Sequence, residues 1–435
     1  MCKVWYYESV SIMVEDKLFL RSLRVQGYKI LRDFVLNEIR PLNVIVGPNG
    51  CGKSALWEVV TLFPDLARGP QSIFDIDSFL YQVFYPHRST LGFEGVLNRE
   101  SGRLRLELNI ESGKQLYTYS LIFAPTSMMR LPTFDTLMEK LSTPEKELLR
   151  YEGARDYETS KGAPKRYHAV VNGQEMEILW PHYYPLLLVN APNDQLAQDP
   201  LFNKLREYFR SWRGFRPVFT HLLARGYQNI DARLITPGER FPGEWLDAPM
   251  GNLPQVLWRL KNHNEDKFKD IEVVFLAAID LEDSHLVVEE ESHQIKIWLE
   301  GALWPYGKYW LGDWPDGWKA FLSWLVAFYT VPPGGVIFLE EPENNLHPRL
   351  LPQLLEQIRL ANQRGVQVFI STHSMELINL IEPEELALMK DGQAYRVDPE
   401  NADKIQEAGI LLGSAWVEGF LEHFGKPTTF TTPPQ

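Results

Sequence analysis

The sequence is poor in cysteine. Only Cys2 and Cys51 occur among 435 residues, too few for a disulfide framework, and their scarcity fits a reducing compartment. Basic charge is in deficit: 44 Lys and Arg against 57 Asp and Glu leave a formal net charge of −13, which excludes a wholesale basic coat for nucleic acid. Long apolar runs are missing as well. The longest, Ala320 to Val331, falls short of the ~20 residues that cross a bilayer and abuts Lys319, so no membrane span is expected. The N-terminus reaches Glu8 without the charged-then-apolar layout of a secretory signal, and the first twelve residues, before Met13, read as a loose extension or a misassigned start. A soluble cytoplasmic protein is expected. No internal repeat or long heptad run occurs, and a hydrophobic fraction of 45% excludes disorder for most of the chain.

What the chain does contain is three short apolar runs without the period-2 alternation of a half-exposed strand: Leu42 to Val46, Val336 to Leu339 and Val366 to Ile370. Each reads as a strand buried on both faces. Helical patterns follow the first two, at Ser54 to Leu66 and Pro348 to Asn362, so the spacing predicts a parallel α/β sheet with ligands at the carboxyl ends of its strands. Between them the texture changes. Leu104 to Ile110 and Tyr117 to Phe123 alternate around Glu-Ser-Gly-Lys and predict a hairpin. Tyr167 to Val171 and Leu186 to Val189 read as further strands, and the charged stretch from Glu139 to Lys165 as a loop or mobile helix. Leu201 to Trp212 and Asn252 to Phe268 read as helices, and Leu286 to Glu290 with Gln294 to Leu299 as a second hairpin.

Chemistry concentrates at the ends of the buried strands. Gly47-Pro48-Asn49-Gly50-Cys51-Gly52-Lys53-Ser54 matches G-x-x-x-x-G-K-[ST] between a strand and a helix. Its backbone N–H groups can curl around a β-phosphate at the helix N-terminus. Lys53 brings a point charge for the β- and γ-phosphates, and the Ser54 hydroxyl suits Mg²⁺. Cys51 reads as a small loop residue, the alternative being an oxidisable thiol whose pKa the helix N-terminus lowers. The second apolar strand runs into Glu340-Glu341-Pro342-Glu343-Asn344-Asn345-Leu346-His347-Pro348. One carboxylate, Glu340, is assigned to the metal shell, and the next, Glu341, to a general base for water. The third strand ends Ser371-Thr372-His373-Ser374 and places His373 where it can sense a γ-phosphate.

In this order, the phosphate loop, the E-P-E-x-x-L-H-P strand and the S-T-H-S strand resemble ABC-type ATPases of the SMC and RecF-like group, specifically compact bacterial AAA-family ATPases related to the ATPase part of OLD-family proteins. Pro249-Met250-Gly251-Asn252-Leu253 is similar to that family's D-G-x-N-L element. The resemblance implies an α/β P-loop NTPase fold: an ABC-type head with a parallel core sheet, an antiparallel β-lobe and a helical middle insertion. It implies ATP and Mg²⁺ as ligands and a homodimer in which two heads sandwich two nucleotides.

A signature segment from one head would close on the other's γ-phosphate. The candidate is Leu311-Gly312-Asp313-Trp314-Pro315-Asp316-Gly317-Trp318, with Gly312, Asp316 and Gly317 near the nucleotide and Asp316 capping a helix from Lys319 to Tyr329. The family's serine is absent there, and Glu340 stands where the family usually has aspartate. Asn344 and Asn345 fall at the D-loop, and Gln82 is the candidate Q-loop residue. Residues 1–190 are expected to form the N-terminal part of the head, 191–285 a mainly helical middle section, 286–425 the C-terminal part and 426–435 a disordered tail.

Weaker signals remain. Lys204, Arg206, Arg210, Arg213 and Arg216 make a basic stretch in which Arg206, Arg210 and Arg213 follow helical spacing, either a solvated helix face or a contact for DNA or an acidic partner. Trp304, Trp310, Trp314 and Trp318 read as core or interface anchors. Asp75-Ile76-Asp77 is the only D-x-D pattern suggestive of a nuclease, and the roughly 60 residues after His373 leave no room for a separate nuclease domain. The expected function is an ATPase that dimerises on ATP and signals to a separately encoded partner. Two alternatives are a nonhydrolysing ATP-gated binding module and a DNA-handling ATPase, in repair or phage defence, that regulates an effector nuclease.

Overall fold

The computed structural model describes residues 17–68, 94–98, 100–128, 131–152, 166–179, 185, 187–188, 196, 199–216, 246, 250–291, 294–301, 307–423 and 425–427. In chain order the first elements are β1 (Leu18–Tyr28), β2 (Leu31–Leu36), β3 (Leu42–Val46), α1 (Lys53–Val60), α2 (Leu62–Arg68), β4 (Leu104–Ser112), β5 (Gln115–Met128), β6 (Leu131–Ser142), β7 (Glu147–Glu152), β8 (Arg166–Val171) and β9 (Gln174–Leu179). There follow α3 (Pro200–Ser211), β10 (Arg213–Phe215), α4 (Leu253–His263), α5 (Glu265–Ala278), β11 (His285–Glu291), β12 (Gln294–Glu300), β13 (Lys308–Trp310) and α6 (Asp316–Thr330). The last are β14 (Val336–Glu340), α7 (Leu351–Gln363), β15 (Gln367–Thr372), α8 (Met375–Ile378), β16 (Leu386–Lys390), β17 (Gln393–Val397), α9 (Pro399–Glu407), α10 (Leu412–Val417) and β18 (Gly425–Pro427).

Among the described residues these strands form three sheets. The core sheet has the order β10-β14-β15-β3-β16-β17-β18 and is parallel from β10 through β16. An eight-stranded antiparallel sheet runs β2-β1-β4-β5-β6-β7-β8-β9, and β11-β12-β13 make a small third sheet. The three apolar runs are adjacent in the core sheet, and every residue of β3, β14 and β15 is buried. Their apolarity follows from burial on both faces. Val336 and Phe338 pack with α1, α2, α3 and the antiparallel sheet, whereas Ile337 and Leu339 pack on the opposite side with α4 to α7. In register, Glu340 lies level with Ser371, Ser371 with Ile45, and Thr372 with Val46. The chemistry-bearing loops therefore leave one edge of the sheet together.

Gln367 locks the antiparallel sheet to the core. Its buried amide mimics a peptide, accepting from the Leu20 N–H at 2.7 Å and donating to the Leu20 carbonyl at 3.0 Å. Gln367→Leu would leave both backbone groups buried without these partners, and we expect a loss of about 2 kcal/mol in denaturant unfolding. An unchanged midpoint would show that the two sheets are held together by other contacts.

Several expectations are corrected. The helix after the phosphate loop is broken at Thr61 into α1 and α2, since Pro64 lacks the N–H that would bond back to Val60. Asn252 to Phe268 is two helices, parted at Asn264, whose side chain accepts from the Lys267 N–H. The stretch from Glu139 is strand, not loop or helix: β6 continues to Ser142 and β7 follows, while 153–165 lie outside the described residues. The charge there disguised the alternation because Glu139 faces inward. It is fully buried, accepting from the Tyr119 hydroxyl at 2.6 Å and the Leu187 N–H at 3.0 Å. Leu187 and Leu188 lie in a turn rather than a strand. Within the middle stretch, β10 joins the core sheet, and the expected disordered tail contributes Lys426 and Pro427 to β18.

Candidate functional site

The phosphate loop sits where its motif requires, between β3 and α1. Gly52, with φ of +116°, makes the left-handed turn into α1 that an L side chain would strain. Lys53 lies over the loop, its Nζ donating to the Gly47 carbonyl at 2.8 Å and the Pro48 carbonyl at 3.3 Å. Asn49 and Gly50 form the exposed tip. Cys51 is buried, and burial pushes its thiol pKa up against the pull of Lys53, which fits the small loop residue and not the alternative of an activated thiol. A cavity of about 310 Å³ opens beside Gly47 and Pro48, with Lys390, Tyr395 and Trp416 among its walls.

The two halves of the motif set meet across 286 positions of sequence. Ser54 Oγ donates to Glu340 Oε1 at 2.5 Å. Glu340 is buried at the end of β14, and its second oxygen, Oε2, is buried without a hydrogen bond. Arg216 Nε lies 3.1 Å from that oxygen as a counter-charge, an ion pair without hydrogen-bond alignment. A hydroxyl and a carboxylate, both hard oxygen donors, suit Mg²⁺, and the orphaned Oε2 is the kind of atom that a cation satisfies. Among the described residues no group of three or more His, Cys, Asp or Glu side chains is arranged to hold a metal ion by itself.

Glu341 is the first residue past β14 and has φ of +47°, which turns its side chain away from that of Glu340. Asn344 Nδ2 donates to Glu341 Oε2 at 2.7 Å, and His373 Nε2 lies 3.7 Å from Oε1. Burial first, then the Lys53 ammonium, hold the His373 imidazole below its usual range against the opposing pull of Glu341. His373 is therefore neutral at pH 7 and able to donate from one nitrogen and accept at the other. Lys53, Ser54, Glu340, Glu341 and His373 converge on one edge of the sheet.

Glu343 was given no role by its motif, yet it ties two of these loops together. Its Oε1 accepts from the Thr372 hydroxyl at 2.5 Å and from the His373 N–H at 3.1 Å. Burial pushes its carboxyl pKa up despite these hydrogen bonds. A raised acid binds its proton more tightly when folded, so its stabilisation is full at low pH and lost as pH rises through the folded value. Glu343→Gln keeps the hydrogen-bond acceptor and removes that titration. The stability of the variant relative to the parent is expected to rise as pH climbs above the ordinary carboxylate range, measured by denaturant midpoints. A flat difference would contradict it.

The signature-like residues are held by α6 and by the turn after β14. Asp316 does not cap the helix: Pro315 holds the cap position without a side-chain bond, and Asp316 begins α6. Its carboxylate pairs instead with the buried Lys319 at 3.2 Å, and Lys319 also donates to the Gly312 carbonyl at 3.3 Å. Gly317 presses on the turn after β14, where a Cβ would stand 2.8 Å from the Asn345 carbonyl oxygen. Trp324 Nε1 donates to the Pro342 carbonyl at 3.1 Å, so α6 and the acidic turn are joined directly.

The basic helical face is also corrected. Arg206 is buried and donates to the Leu187 carbonyl at 2.6 Å, Arg213 is buried and donates to the Trp212 carbonyl at 2.7 Å, and Arg210 reaches the Ala67 carbonyl and Glu207. These arginines fasten α3 rather than present charge to DNA. Trp314 is a core anchor stacked on Phe275 at 5.6 Å, whereas Trp310 is partly exposed. Gln82, Trp304 and the Asp75-Ile76-Asp77 pattern lie outside the described residues, as does Pro249 of the D-G-x-N-L-like element. Among the described residues no helix is long and apolar enough to cross a membrane.

No curated protein matches the chain. Among solved structures it is similar to an SMC head bound to the C-terminal winged-helix domain of ScpA, at 11% identity and a TM-score of 0.44, covering 86% of this chain and 96% of that one. An SMC head domain from Thermotoga maritima gives 13% identity and a TM-score of 0.37, covering 86% and 97%. An SMC head with an extended coiled coil, bound to the C-terminal domain of ScpA derived from Pyrococcus furiosus, gives 12% and 0.41, covering 90% and 99%. The sequence match is more telling, because the family model described as "AAA domain, putative AbiEii toxin, Type IV TA system" aligns with residues 42–379, from β3 through α8 and so across every loop of the site. The chain belongs to this AAA-domain family.

Proposed function

We propose that this protein binds Mg-ATP at the carboxyl ends of β3, β14 and β15 and hydrolyses it slowly, with two copies enclosing the nucleotides. The observation that carries the reading is the 2.5 Å contact between Ser54 and Glu340, which brings a phosphate loop and a buried acidic strand end into one site. Gly47 to Ser54 would hold the phosphates through backbone N–H groups, and Lys53 would turn from its own loop carbonyls to their charge. Ser54 and Glu340 would hold Mg²⁺, which when bound neutralises charge on the phosphates and polarises them. Glu341, oriented by Asn344 and beside a neutral His373, would take the proton of the attacking water, while His373 would contact the γ-phosphate.

Gly312, Asp316 and Gly317 would act across the interface between copies. Gly317 packs on the carbonyl of Asn345, a D-loop position in the family resemblance, and Lys319 holds Gly312 and Asp316, which supports that reading. Since α6 is bonded to the acidic turn through Trp324 and Pro342, a change at Glu341 would reach the segment facing the second copy. An effector encoded separately would read that change.

The test is phosphate release from ATP, followed with the mass in solution. Slow release together with doubling of mass in ATP is expected. A monomer that releases no phosphate would overturn the reading.

A further inference from the structure

We propose that Arg216 is a positioning residue for the metal-binding carboxylate: it counter-charges Glu340 and competes with Mg²⁺ for it, setting the Mg²⁺ concentration at which the site takes ATP. The inference rests on the Mg-ATP reading above and adds to it a residue that no motif contains.

Placement comes from the sheet. β10 pairs parallel with β14, Phe215 lies level with Leu339, and Arg216 is the first residue past that pairing, as Glu340 is the residue after Leu339. The strand is held close to the phosphate-loop helix, because a Cβ at Gly214 would stand 2.2 Å from Thr61 Cγ2, just past the end of α1. Arg216 is thus delivered to the site edge by backbone, not by chance contact of a long side chain.

The chemistry comes from the carboxylate. Glu340 Oε1 is engaged by Ser54, while Oε2 is buried, lacks a hydrogen bond and has Arg216 Nε at 3.1 Å. A buried carboxylate oxygen needs a counter-charge. Mg²⁺ would draw on the same two groups, Ser54 and Glu340, and two cations on one carboxylate repel each other. The Arg216 side chain is 56% exposed, so its guanidinium can swing into solvent at little cost.

The test titrates MgCl₂ at fixed ATP while nucleotide binding is followed by calorimetry, for the parent, Arg216→Ala and Arg216→Lys. Arg216→Ala is expected to lower the half-saturating Mg²⁺ about fivefold, with Arg216→Lys close to the parent. Thermal melting without nucleotide gives a readout independent of binding: Arg216→Ala should melt lower without Mg²⁺, and MgCl₂ should raise its melting temperature more than the parent's. An unchanged or higher half-saturating concentration, or an equal shift on adding MgCl₂, overturns the proposal while leaving the nucleotide site intact. A parent that binds no ATP at any Mg²⁺ concentration overturns the underlying reading, and this inference with it.

Discussion

Glu341→Gln is expected to bind ATP as the parent does while releasing phosphate about 100-fold more slowly or less. The amide is isosteric, so the Asn344 contact at 2.7 Å can persist through the retained carbonyl oxygen, and the turn with φ of +47° need not change. What is lost is a base able to take a proton from water. Removing a positioned base typically costs two to four powers of ten in rate, and the step before it, nucleotide uptake, does not use that proton. The variant should therefore accumulate ATP-bound dimers, seen as a larger mass in ATP than in ADP. Equal turnover in variant and parent would remove Glu341 from the mechanism and leave another group as the base.

Lys53→Ala is expected to weaken ATP binding by about 100-fold, equivalent to about 2.7 kcal/mol. The ammonium is the only charge within the phosphate loop itself, and it lies over the loop on the Gly47 and Pro48 carbonyls. Truncation leaves the backbone N–H groups to hold the phosphates without a point charge. The ammonium also helps hold His373 below its usual range, so the variant should move the imidazole pKa upward, readable by NMR. Unchanged nucleotide affinity would mean that the loop does not carry the phosphates.

The core sheet was legible because its strands are buried on both faces: β3, β14 and β15 are written as uninterrupted apolar runs, and the phosphate loop and acidic turn begin where those runs stop. The antiparallel sheet was half legible. β4 and β5 alternate openly, but β6 hides its pattern behind Glu139, an inward carboxylate whose partners, Tyr119 and Leu187, are distant in sequence. The arginines of α3 misled for a related reason. Helical spacing tells which side chains share a face, not whether a carbonyl such as that of Leu187 waits there for a guanidinium.

Arg216 was invisible as a site residue because β10 is only Arg-Gly-Phe, too short to show any period, and its role comes from pairing with a strand more than a hundred residues later. Glu343 had a faint signal, since E-P-E places it within the acidic turn. Its link to Thr372 and His373 needed β15 beside β14.

If β3, β14 and β15 end in one Mg-ATP site, equilibrium dialysis of the parent protein against labelled ATP, with Mg²⁺ and with a chelator, will read it out. One ATP bound per chain with Mg²⁺ and markedly weaker binding with the chelator is the predicted result; no retained ATP at millimolar nucleotide with Mg²⁺ present would contradict it.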